Sequence, residues 1–367
     1  MPDIIQARVA GRLKALRTQQ HLTQQHVSER LGFKDRQTLA AIEAGERRVT
    51  PAELAAAAEL FGVEPEYFTD AFHLAGEGAF SFRAKGVDDA VLDDFERRAG
   101  RWVATYRELR AQAGVTPSRL GRKLDLTPSS SYEDAQACAE ELRQRWGLGD
   151  VPAAELEAAL AREMQALVLY VDAPAGLSGA ASRLPGLNTI LVNRRERVGR
   201  RSYDLGHELF HVLTWDAMPP ARVDEGVKPT KGTRVEQLAE NFAAALLMPA
   251  PTLAARWNAR GEADVHDWLN ATASVLRVTA VALKWRMHNL GHLDAARVRD
   301  ELLAGNAGLA ATEPLPRLFS AEFVTRVHAA VEAGRLSLRR AARLLDLELD
   351  ELAALCRDYG LTLSYDV

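Results

Sequence analysis

Apolar residues recur at three- and four-residue intervals along most of the chain, so most of it is expected to be helical. Val9, Leu13 and Leu16, then Val27 and Leu31, Leu39 and Ile42, and Leu54 and Leu60 mark the inner faces of five short helices over residues 5–68. Thr23 is placed to cap the second. Thr-Pro-Ala-Glu at 50–53 reads as a capping box, with Thr50 as N-cap, Pro51 at the first helical position and Glu53 three residues on. Further along, EGAFSFRAKG reads as a loop or short strand and VLDDFERRAGRWVATYRELRAQAG as one long amphipathic helix, together a connector. TPSSS at 127–131 marks a boundary. Beyond it come two helices, a strand ALVLYVD, a Gly/Pro-rich turn region and a strand NTILVN, an α+β unit. A helix carrying SYDLGHELFHVL follows, then a loop and a helix TRVEQLAENFAAALLMP ended by Pro249. Everything after about 260 is helical and rich in Leu and Ala, and its last stretch has a helix-turn-helix-like rhythm. The pattern predicts a multidomain, mainly α protein: an all-α unit at 1–70, a helical connector at 71–128, an α+β domain with a small sheet at 129–260 and a helical C-terminal region at 261–367.

Composition narrows the function classes. Of 367 residues, 47% are apolar and 26% charged, and the formal net charge is −4, so there is no bulk positive charge and any nucleic-acid surface must be local. Two well-separated cysteines, Cys138 and Cys356, argue against a disulfide framework or a thiolate zinc site and suit a reducing compartment. The start, MPDIIQARVAGRLKALR, lacks the apolar core of a secretory signal, and no run is long enough to span a bilayer. A cytoplasmic location without a membrane partner is expected.

The chemistry is concentrated in HELFH. His207 and His211, four apart, project from one helix face about 40° apart around the axis and can grip one ion. Glu208 turns about 100° from His207, where it can reach a water held by that ion as a general base. Zinc lowers the pKa of such a water to roughly 7 and polarises a carbonyl, leaving proton transfer to the carboxylate. A third protein ligand is needed, and Glu236 and Glu240, again four apart, share a face of the later helix, so that one can ligate while the other orients a histidine.

SYDLGHELFHVL followed by EQLAENFAAALLMP resembles the ImmA/IrrE family of zinc-dependent peptidases over roughly 132–260. The resemblance implies a zincin-like fold, Zn2+ (Mn2+ in vitro) as cofactor, His207, His211 and Glu236 as ligands, and Glu208 as the catalytic base. Glu240, an alternative or supporting ligand, stands where the family has asparagine, and Phe210 where it has glycine. NTILVN is expected either to lie along the cleft and pair with an extended substrate, as in zincins generally, or to be a plain core strand. The transition-state donor is unidentified; Tyr203 is the nearby candidate. RRERVGRR at 194–201 reads as a solvated helix entry, and His288 and His292 as part of a surface turn.

Residues 12–62 resemble the Cro/C1-type (XRE) helix-turn-helix domain through LTQQ, RLG and IEAG. DRQTLAAIEAG would be the recognition helix, with Arg36, Gln37 and Thr38 reaching base edges and Gln24 contacting backbone or base. Residues 1–50 hold nine Lys/Arg against five Asp/Glu, a mild excess that suits phosphate contacts. Together the two resemblances imply a regulatory zinc endopeptidase fused to a DNA-binding domain. It would cleave a specific protein, a helix-turn-helix repressor, in a stress or phage-related response, with a homodimer as a further expectation. The alternatives are a transcriptional regulator whose zincin-like domain senses a ligand or partner and cleaves little, and an antitoxin or scaffold.

Overall fold

The computed structural model describes residues 4–74, 80–84, 86–115, 123–219, 223–224, 232–303 and 314–364. The chain opens with α1 (Ile4–Gln19), α2 (Gln24–Arg30), α3 (Arg36–Glu43), α4 (Pro51–Phe61) and α5 (Glu66–Thr69). Thr23 caps α2, Asp35 caps α3, and Thr50 and Glu53 form the reciprocal capping box that starts α4. Val9, Leu13, Leu16, Val27, Leu39 and Ile42 meet in one core. The inner face of α4 is turned relative to the expectation: Ala57, Ala58 and Phe61 are buried, while Leu54 and Leu60 only flank the core. With four alanines and two leucines among the eight residues at 54–61, apolarity alone does not fix the phase. Arg12 is fully buried, and its guanidinium donates to the carbonyls of Tyr67 and His73, which ties α1 to the exit of the bundle.

The remaining elements are β1 (Phe80–Ala84), α6 (Asp89–Gln112), α7 (Tyr132–Trp146), α8 (Pro152–Met164), β2 (Leu167–Val171), β3 (Leu177–Leu184), β4 (Leu187–Asn193), α9 (Val198–Thr214), β5 (Val223–Asp224), α10 (Gly232–Leu247), α11 (Ala250–Asn258), α12 (Val265–Leu276), α13 (Ala280–Asn289), α14 (Ala321–Glu332), α15 (Leu338–Leu345) and α16 (Leu349–Asp358). The strands form one mixed sheet in the order β2-β4-β3-β1-β5. β3 is antiparallel to both β4 and β1, whereas β2 runs parallel to β4 and β5 parallel to β1.

Two expectations are corrected here, and one left open is decided. The stretch between ALVLYVD and NTILVN is not only turn: it holds β3, joined to β4 by a Pro185-Gly186 hairpin with Gly186 at φ 78. β3 has few β-formers, Leu-Ser-Gly-Ala-Ala-Ser-Arg-Leu, because helices or strands press on both faces and small residues fit. β4, the NTILVN strand, has both edges filled by β2 and β3, so it is a core strand and cannot accept an extended substrate. The segment read as a connector instead adds β1 to the outer edge of β3 and lays α6 against the sheet.

Side chains alternate across the sheet as strand geometry requires. Val168, Ala181, Ile190 and Val192 face one layer, containing α7 to α10, α12 and α13. Leu167, Leu169, Val171, Leu187 and Leu191 face the other, containing α6, α14, α15 and α16. The C-terminal helices therefore complete the back of the sheet; the Trp102 indole of α6 donates to the carbonyl of Leu345 at 3.3 Å. The N-terminal bundle is pinned to this body by Arg8–Glu108 at 3.3 Å and Arg340–Asp70 at 2.8 Å. Among the described residues, no single helix is long and apolar enough to cross a membrane.

Candidate functional site

α9 lies across the sheet with β3 and β4 beneath it, and every residue from Asp204 to Thr214 is buried. α10 packs beside it at close range: a Cβ added to Gly206 would sit 3.5 Å from the Cβ of Ala243. That close approach lets side chains from the two helices meet. His207 Nε2 lies 3.0 Å from Glu236 Oε2, His211 Nε2 lies 3.2 Å from His207 Nε2, and His211 Nε2 lies 3.4 Å from Glu236 Oε1.

These separations test the donor set for a metal. A tetrahedral site with ligand bonds of about 2.0–2.1 Å has edges of about 3.3 Å; the two imidazole nitrogens stand near that value from each other, and each stands near it from a different oxygen of the Glu236 carboxylate. The two imidazoles and one carboxylate also match the ligand chemistry of zinc, and they are the group of potential ligands found together among the described residues. The histidines are buried, while the Glu236 side chain keeps 20% of its exposure. Burial acts to raise the Glu236 pKa, but hydrogen bonds to His207 and His211 outweigh it and hold the carboxyl well below the usual carboxylate range.

Glu208 points toward β3. Gly179 there makes room for it: a Cβ at that position would come within 3.2 Å of the Leu191 carbonyl oxygen and 3.3 Å of Glu208 Cγ. One turn earlier on α9, the fully buried Asp204 accepts an ion pair from Arg200 Nε at 3.2 Å, and Arg200 also donates to Ser178 Oγ at 3.2 Å. Sequence reasoning missed Gly179, Arg200 and Asp204. The available signals were an Arg and an Asp spaced four apart just before the histidine motif, and one glycine inside a run of small residues.

Glu240 is exposed and stands outside the cluster; its backbone carbonyl accepts the Tyr203 hydroxyl at 3.0 Å. Tyr203 is thus engaged one turn away from His207 rather than beside the cluster. RRERVGRR is not simply solvated: Arg194 grips Asp172 through two bonds of 2.9 Å, and Arg200 serves the network just described. His288 and His292 lie at the end of α13 and in the turn after it, which Gly291 makes at φ 75.

In the N-terminal bundle, Arg36 and Gln37 are exposed at the start of α3. Thr38 is half-buried, and its backbone N–H and hydroxyl both donate to the capping Asp35 carboxylate. Gln24 is turned inward: its amide donates to Glu43 at 2.8 Å, beside the Arg17–Glu43 pair at 2.6 Å. Of the four expected DNA contacts, two stand free on the surface and two are engaged in local bonds.

Residues 13–68 match the model of the helix-turn-helix family, and residues 161–288 match the M78 peptidase model described as the IrrE N-terminal-like domain. The chain therefore joins a helix-turn-helix domain, which supports DNA binding, to an IrrE-like protease domain. No curated protein matches it. Among solved structures, the apo form of the competence regulator ComR from Streptococcus vestibularis aligns over 97% of this chain and 99% of that one, at 10% identity and a TM-score of 0.17.

Proposed function

We propose that this chain is a zinc-dependent endopeptidase tethered to a DNA-binding domain, and that it cleaves a protein target, a helix-turn-helix repressor, in a stress or phage-related response. The observation that carries this reading is the convergence of His207, His211 and Glu236 at tetrahedral spacing, with Glu208 buried on the same helix. His207 and His211 would hold the ion through Nε2, and Glu236 through a carboxylate oxygen. Bound there, zinc supplies Lewis acidity toward a peptide carbonyl and a water.

This chain's own residues would do the rest. Glu208 takes a proton from the attacking water and returns it to the leaving amine. The surrounding burial keeps bulk water from competing. Gly179 sets how far the Glu208 carboxylate can approach from the strand side. Arg200, paired with Asp204 and Ser178, holds the N-terminal half of α9 to β3 and so fixes where the histidines point. The helix-turn-helix domain would raise the local concentration of the protease around DNA-bound targets, with Arg36 and Gln37 as the first residues to test for base contacts.

The complete burial of Glu208 favours a second reading, in which the domain senses a ligand or partner and cleaves little. One variant separates the two. Glu208→Gln should retain stoichiometric zinc by elemental analysis and lose cleavage of a panel of helix-turn-helix repressors by at least 1000-fold, on the order expected when a general base is removed. Promoter control that survives this change intact, together with an absence of wild-type cleavage, would establish the sensor reading instead.

A further inference from the structure

Glu236 can meet the histidines only if α10 stands at the right height beside α9. The contact between those helices is built partly from small residues: a Cβ on Gly206 would lie 3.5 Å from the Cβ of Ala243. Shallow ridges of this kind let helices approach closely but grip little along the axis. α7, on another side of α10, supplies a row of hydrogen bonds. The Tyr132 hydroxyl donates to Gln237 Oε1 at 2.6 Å, one residue from Glu236. Gln136, one turn later on α7, donates through Nε2 to Asn241 Oδ1 at 2.9 Å, and Asn241 Nδ2 donates to the Gln237 carbonyl at 2.9 Å. The row ends on the buried Arg286 of α13. Its guanidinium donates to Gln136 Oε1 at 2.7 Å and to the carbonyl of Met248, just past the end of α10, at 3.3 Å, with Glu140 Oε1 3.7 Å away as counter-charge.

The two ends of the row dictate its direction. A guanidinium only donates, so Gln136 turns its oxygen to Arg286 and its NH2 to Asn241. A backbone carbonyl only accepts, so Asn241 turns its NH2 to Gln237 and its oxygen to Gln136. Each amide is therefore used as acceptor on one side and donor on the other, and a carboxylate of the same size cannot do both. Burying a guanidinium is costly; the result here is a fixed height for α10 against α7 and α13.

Building on the peptidase reading, we infer that Arg286, Gln136 and Asn241 are positioning residues for the metal site: they hold α10 along its axis so that Glu236 meets the imidazoles of His207 and His211. Two substitutions of nearly equal size cut the row at successive links in the full-length protein. Gln136→Glu keeps the bond to Arg286 as a charge pair but offers Asn241 no donor; Asn241→Asp accepts from Gln136 but offers nothing to the Gln237 carbonyl. Zinc affinity is measured by competition with a chromophoric chelator, and the melting temperature on metal-free protein. Both variants should bind zinc about 10- to 100-fold more weakly, and metal-free Gln136→Glu should melt as the wild type does. The added negative charge would by itself attract a cation, so a loss of affinity reports displacement of Glu236 and not the change in charge. With cobalt(II) in place of zinc, the visible absorption bands of both variants should move toward those of Glu236→Gln. Affinity and cobalt bands that stay as in the wild type, or an affinity that falls only in step with the metal-free melting temperature, would overturn the positioning role and leave the peptidase reading intact. A wild type that binds no zinc would instead overturn the metal site itself, and the positioning role with it.

Discussion

The site depends on individual atoms in ways a motif does not state. HELFH offers two of the three proposed ligands and the proposed base, and the spacing of its histidines on a helix was enough to place their nitrogens together. It says nothing of Gly179, 29 residues earlier on β3, whose missing side chain gives Glu208 its place. Adding one methyl there forces either the Leu191 carbonyl or the Glu208 stem to move by a few tenths of an ångström. Gly179→Ala should keep zinc and helical content but lower proteolysis by about 10- to 100-fold, since small misplacements of a catalytic group are costly. Cleavage assays beside metal analysis check this, and full activity in that variant would remove Gly179 from the account. The choice between Glu236 and Glu240, open on helical spacing alone, turns on position along the α10 axis, since the two share a face about one turn apart. Glu236 meets the histidines, while the Glu240 backbone is occupied with Tyr203.

Elements were legible where their local signals agreed. Thr50, Pro51 and Glu53 state the start of α4 outright, and the structure carries both bonds of the capping box. Thr50→Ala removes one of them and should cost about 1 kcal/mol. Hydrogen exchange of the α4 amides in the intact protein should then quicken about fivefold, a local-opening effect of that size. Exchange rates that stay as in the wild type would mean that tertiary packing, not the cap, holds the helix end. Local signals failed for β3 and for the phase of α4, for related reasons. Both are built from small residues whose placement is decided by what packs against them: α9 and Glu208 for the strand, the bundle core for the helix. NTILVN was left open for a different reason. Its residues read correctly as a strand, but whether a strand lies at an edge or in the middle is a property of its neighbours, and those come from elsewhere in the chain.

At the scale of the whole molecule, the proposed metal adds a cross-link between two helices, α9 and α10, that already pack against each other. Ligands from α9 and α10 must converge, so binding is coupled to the folded state. Removing zinc with a chelator should lower thermal stability by about 2.7 kcal/mol relative to a solution holding metal at a hundredfold excess over its Kd. The His211→Ala variant should melt at one temperature in both solutions. Scanning fluorimetry measures both, and a chelator-insensitive wild type would speak against a tightly held ion. Domain organisation was only partly readable from periodicity. The amphipathic stretch at 89–112 and the helices after 314 each show an apolar face, but neither says that the two faces meet behind the same sheet, with Trp102 of one bonded to Leu345 of the other.

The partner of β3 on its outer side, β1, precedes it by nearly a hundred residues. During synthesis, then, Phe80 and Phe82 leave the ribosome long before anything exists for them to pair with, and the sheet cannot close until the later hairpin arrives. The α1–α5 bundle has no such delay, because its core is complete within the first seventy residues. The first fifth of the chain, which carries the helix-turn-helix domain, can thus be assembled while the rest is still being made.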